Sequence, residues 1–113
     1  MTVTALKIVP IIQLTNVSLP YGSVVPANST QIIKSAVFSN TGSVPRQINV
    51  NIVPTGKTAS VANQIVNART LLAGKTIALP ELVGYEMITG DQIFASASAS
   101  IDVNMTINGT QIS

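Results

Sequence analysis

Two stretches of this chain alternate apolar and polar residues with a period of two, and that period most constrains what the chain can fold into. In QINVNIV, Ile48, Val50 and Ile52 alternate with Gln47, Asn49 and Asn51; in SIDVNMTING, Ile101, Val103, Met105 and Ile107 alternate with Ser100, Asp102, Asn104, Thr106 and Asn108. Successive side chains of a strand point to opposite faces, so each stretch reads as a strand with one buried and one polar face. The polar face is amide and hydroxyl rather than Lys and Glu, a surface able to hydrogen-bond a neighbour without desolvating full charges.

β-branched runs bounded by turn residues predict further strands over residues 6–14, 31–39, 69–72, 75–79 and 91–98. PYGS, SNTGS, AGK and TGD supply the turns between them. Many short strands with such connections predict one antiparallel β-sandwich over residues 1–113, Greek-key or jelly-roll-like, with at most one short helical turn. That turn is placed at residues 60–67, where Val61, Ile65, Val66 and Ala68 recur at spacings of three and four. Pro10 cannot donate to a sheet ladder, so residues 1–14 read as an edge strand or an exchanged N-terminal arm. The segment LTNVSLPYGSVVPANST, with two prolines, reads as a surface loop, with an extended arm as the alternative. In ASASAS, side chains this small allow another sheet, strand or subunit to approach closely.

Composition narrows the use of such a sandwich. Of 113 residues, 9% are charged, against roughly a quarter in typical domains, while 46% are hydrophobic. Some of the surface is therefore expected to meet protein rather than water. There is no cysteine and no histidine; the commonest general base and metal ligand is missing, and no serine has an evident base. The start lacks a basic region before its apolar run, which Lys7 and Pro10 interrupt, so no secretory signal is expected. No stretch approaches the roughly 18 apolar residues of a membrane span.

The remaining motifs resolve into punctuation. Gly56-Lys57-Thr58 and Gly74-Lys75-Thr76 mimic the end of a phosphate loop, but Asn51 and Arg69 stand where its first glycine belongs; both are read as hairpin turns. Glu81, Glu86, Asp91 and Asp102 form no acid/base or metal pattern, with Asp91 read as a turn residue and Asp102 as part of a strand's polar face. No catalytic residue, cofactor or metal is expected. All six basic residues precede all four acidic ones, an asymmetry that would place opposite charges at opposite ends if it became spatial. Six cations spread over about seventy residues without an aromatic platform make a poor phosphate stripe, so no nucleic-acid partner is expected.

The segment GKTIALPELVGYEMITGDQIFASASASIDVNMTINGTQI resembles small structural proteins of tailed bacteriophages. Their pattern is a strand ending in a Leu-Pro turn, an aromatic residue before a Gly-Asp turn, an Ala/Ser-rich strand, and an alternating strand closing on Gly. The matching positions are Leu79, Pro80, Leu82, Gly90, Asp91, Ile93, Ala95, Ala97, Val103, Ile107, Gly109 and Ile112, with a looser likeness over residues 31–56. The resemblance implies a virion protein, assembled in the host cytoplasm, that adds contacts on a capsid or tail.

The expected function is a non-enzymatic capsid decoration or cement protein. Its partners are the major capsid protein and further copies of itself as trimer or dimer, since multivalency converts weak contacts into stable attachment. A tail, collar or fibre component is the alternative, and a carbohydrate- or receptor-binding module is another. Lys7, Ile8, Ile11 and Ile12 are the expected interface residues, by strand addition or arm exchange.

Overall fold

The first alternating stretch folds as its period dictates: Arg46–Val53 is a strand with Ile48, Val50 and Ile52 turned into the core. The computed structural model describes Met1–Ser113 and holds nine strands. They are β1 (Val3–Gln13), β2 (Leu19–Tyr21), β3 (Thr30–Asn40), β4 (Arg46–Val53), β5 (Gln64–Leu71), β6 (Thr76–Ala78), β7 (Glu86–Ile88), β8 (Gln92–Ala97) and β9 (Val103–Ile112). The single helical element is a 3-10 turn at Val61–Asn63, closed by a capping box between Ser60 and Asn63.

Two antiparallel sheets face each other. One has the order β1-β9-β3-β6, with β7 also paired to β3; the other has the order β2-β8-β4-β5. Every connection except β4 to β5 and β6 to β7 changes sheet. This interleaving of two four-stranded sheets is the eight-stranded jelly roll, with β7 as an addition. The inward faces interlock through Ile8, Val9, Leu14, Ile33, Ala36, Phe38, Val103, Met105 and Ile107 from one sheet and Ile48, Val50, Ile52, Val66, Ile93, Ala95 and Ala97 from the other. Leu79 and Leu82, in the turn after β6, close one flank.

Several sequence expectations need correction. The helical spacing over residues 60–67 is mostly strand, because two register shifts in β5 interrupt its alternation and leave Ala68 at φ 50. β2 and β7 lie in segments without a strand signal, three residues being too few to carry a period. Ile101 does not join the buried ladder of β9. It stands exposed, and the strand begins only after Asp102, whose φ of 79 makes that residue a turn rather than a strand face. The Gly74 turn is no hairpin, since it carries the chain from β5 in one sheet to β6 in the other.

Candidate attachment surface

β1 is the outer strand of its sheet, paired only to β9. Its register slips once between Lys7 and Val9 and again between Val9 and Ile12. Each slip inserts an extra residue and reverses the alternation. Ile8 and Val9 consequently both enter the core, and Ile8 leaves the set of accessible residues expected from sequence. Lys7 and Ile12 remain exposed, and Ile11 is the most open of the three isoleucines at 76%. Pro10 sits inside the second slip, where no ladder bond is asked of it.

The ends of β1, β3, β5 and β8 lie together at one end of the sandwich, and the loops that leave them are laced by hydrogen bonds. Gln13 Nε2 donates to Ser100 O (2.8 Å), and Ser100 Oγ donates to Asn16 Oδ1 (2.9 Å). Thr41 N donates to Asp102 O (2.8 Å). Asn40, buried, donates through Nδ2 to Val44 O (2.8 Å) and Leu71 O (3.0 Å). Each loop presents one large apolar side chain to solvent: Val17, Val44, Leu72 and Ile101. These four escaped the sequence reading, although a bulky aliphatic residue inside turn-rich sequence was the available signal. Val24, Val61, Val83 and Ile88 stand exposed toward the opposite end.

Between the two ends, the outer faces of both sheets are mostly polar and uncharged, with Lys34 on β3 and Arg69 on β5 exposed. Ser35, Ser39, Asn104, Thr106, Asn108 and Thr110 are half-buried along β3 and β9. On the other sheet, Asn49 and Asn51 are occupied within the chain. Asn49 Oδ1 accepts from Ala68 N (2.8 Å) and Gln64 Nε2 (3.2 Å), and Asn51 Nδ2 donates to Ser60 O and Asn63 Oδ1 (2.8 Å each). Asn51 is thereby buried under the loop of residues 54–63 instead of facing solvent. A depression of about 380 Å³ beside them is lined by Asn49, Asn51, Gln64, Asn67 and Ser96 among others, with Ala59 and Val61 adding apolar wall.

The charge asymmetry along the sequence is partly cancelled in space. Arg46 pairs with Asp102 at 2.9 Å, and Arg69 pairs with Glu81, each joining the basic half to the acidic half. A backbone amide hydrogen bond at Glu81, with Arg69 adding to it, holds this carboxyl below its ordinary value against an opposing desolvation. Asp91 is buried and accepts from Ile88 N (3.0 Å), the turn role expected of it. Gly56 and Gly74, at φ 76 and 68, occupy tight turns closed by Lys57 N to Pro54 O and Lys75 N to Leu72 O.

No protein-family profile and no curated protein matches the chain. Among solved structures, chains from infectious bursal disease virus of the Gx and Gt strains resemble its fold. Each match has a TM-score of 0.48 and covers 97% of this chain, at 15% and 11% identity. The chain spans about a third of the length of each, 32% and 30%.

Proposed function

We propose that this chain is a non-enzymatic structural subunit of a virion, and most specifically a decoration or cement protein on the capsid of a tailed bacteriophage. The observation that carries the proposal is the placement of its exposed aliphatic side chains. They stand at both ends of the sandwich and along β1, while the faces between carry few charges, Lys34 on β3 and Arg69 on β5 among them. A protein that met one ligand would need one such patch. A subunit wedged into a lattice meets neighbours on several sides, and each contact uses apolar area with little charge to desolvate. The jelly roll suits this use, as a fold that recurs in viral capsid and lectin domains, although fold alone leaves function open.

The partner in this reading is the major capsid protein, without nucleic acid. Attachment runs through Lys7, Ile11 and Ile12 of β1 together with the apolar tips Val17, Val44, Leu72 and Ile101. A carbohydrate-binding module would have to stack sugar on the chain's four aromatic side chains, Tyr21, Phe38, Tyr85 and Phe94, and two of these, Tyr21 and Phe38, are buried in the core.

Antibody labelling of purified virions tests the proposal. Label over the head supports it, label on the tail or collar transfers the same architecture to the alternative site, and unlabelled particles overturn it. Deletion of residues 1–13 is a poor test, since it removes Ile8 and Val9 from the core. Ile11→Asp and Leu72→Asp alter exposed side chains instead, and each is expected to lower head occupancy at least several-fold without changing the melting temperature.

A further inference from the structure

We infer that the first half of β1 is a self-pairing edge, through which two copies of this chain join their β1-β9-β3-β6 sheets antiparallel about a two-fold axis at Ala5. Thr2 and Ser113 exchange both backbone hydrogen bonds (2.8 and 2.9 Å). With the register Val3 to Ile112 through Lys7 to Asn108, Thr4 and Leu6 therefore bond β9, while the N–H and C=O groups of Val3, Ala5 and Lys7 face away from it. These outward groups form an unbroken edge.

The other edges are blunted in ways that natural sheets use to prevent pairing. β2, β6 and β7 have three residues each. β5 is broken by two register shifts and the positive φ of Ala68, and its Arg69 is tied to Glu81. In β1 the slips begin only after Lys7, so they limit pairing to the stretch before them.

A second copy is the occupant that this edge fits best. In the register centred on Ala5, Ala5 faces Ala5 and each Val3 faces the other copy's Lys7, so all three outward residues are used and about six hydrogen bonds form. The two Lys7 ammoniums are then four residues apart, about 13 Å along the strand, beyond the screening length of about 8 Å at physiological salt. Centring on Lys7 would set them face to face. Val3, 59% exposed, supplies an uncharged neighbour for the lysine stem. The pairing rests on no part of the capsid reading and gives a geometry to the dimer that the sequence leads one to expect; absence from virions would leave it standing, and a monomeric protein would leave capsid attachment standing.

Native mass spectrometry and sedimentation of the whole chain, from micromolar to millimolar concentration, test it. A monomer–dimer equilibrium is expected, with Val3, Ala5 and Lys7 amides slowing in hydrogen exchange as dimer forms while those of Ile11 and Gln13 do not. Val3→Lys places like charges opposite Lys7 of the second copy and should weaken the dimer roughly ten-fold, whereas Val3→Glu should strengthen it in a salt-sensitive way. Equal melting temperatures of the two variants at concentrations low enough to keep both monomeric confirm that both are folded. A protein monomeric throughout, concentration-independent exchange at these amides, or a dimer indifferent to the charge at position 3 would each overturn the inference.

Discussion

The hydroxyl of Tyr21 is buried and has no hydrogen-bond partner, although its ring packs in the core. An unpaired buried hydroxyl costs on the order of 1–3 kcal/mol, so Tyr21→Phe is expected to stabilise the fold by about 1 kcal/mol in urea melts. Gly109 is the opposite case. A Cβ there would lie 2.1 Å from Ile32 O and 2.7 Å from Ile8 Cδ1; the first of these is backbone held in the β3–β9 ladder. Gly109→Ala should therefore cost on the order of 1–3 kcal/mol, as overpacking does. Glu81 sets a pH dependence. Its folded carboxyl titrates below the ordinary value of 4.5, so its contribution is fully present above that pH and fades as pH falls through the lowered value. The stability difference between wild type and Glu81→Gln should shrink on acidification from pH 7 to pH 3, and a difference that grows would contradict the assignment.

Strands were legible in the sequence where nothing interrupts their period. Ile48, Val50 and Ile52 on β4, and Val103, Met105 and Ile107 on β9, are all buried as the alternation requires. β1 and β5 were harder because bulges change the phase. The phase change put Ile8 in the core and left Ile11 outside, so the expected interface was only partly legible. In β5 the irregularity is held by Asn49, whose amide oxygen receives the Ala68 N–H that the ladder leaves free. Asn49→Ala leaves this donor and Gln64 Nε2 without their acceptor, and is expected to cost about 1–2 kcal/mol. Faster hydrogen exchange confined to β5 and the Val61–Asn63 turn would locate the loss; uniform exchange across both sheets would argue against a local role for Asn49. The apolar loop tips were not legible as a group, since Val17, Val44, Leu72 and Ile101 come together only when the chain has crossed between the sheets several times.

At the scale of the molecule, the costly step is bringing the two ends of the chain together. β1 pairs with β9 from Val3–Ile112 to Gln13–Asn104, a closure over about a hundred residues that the chain must make before the pairing rewards it. The last backbone bonds of that pair join Thr2 to Ser113, so a few glycines can link the termini and make β1 and β9 a local hairpin. New termini are best opened between Ala73 and Gly74. The strands on either side, β5 and β6, lie in different sheets and do not pair, so no local pairing becomes distant in exchange. Shortening the loop from about a hundred residues to about five lowers the closure cost by roughly 2–3 kcal/mol. If β1–β9 docking belongs to the folding transition state, the permutant should refold up to about a hundred-fold faster, with an unfolding rate close to that of the parent. Stopped-flow refolding by tyrosine fluorescence measures both. An unchanged refolding rate, in a permutant that reaches the native fold, would move β1–β9 docking to the downhill side of the barrier and leave the β2-β8-β4-β5 sheet as the folding nucleus.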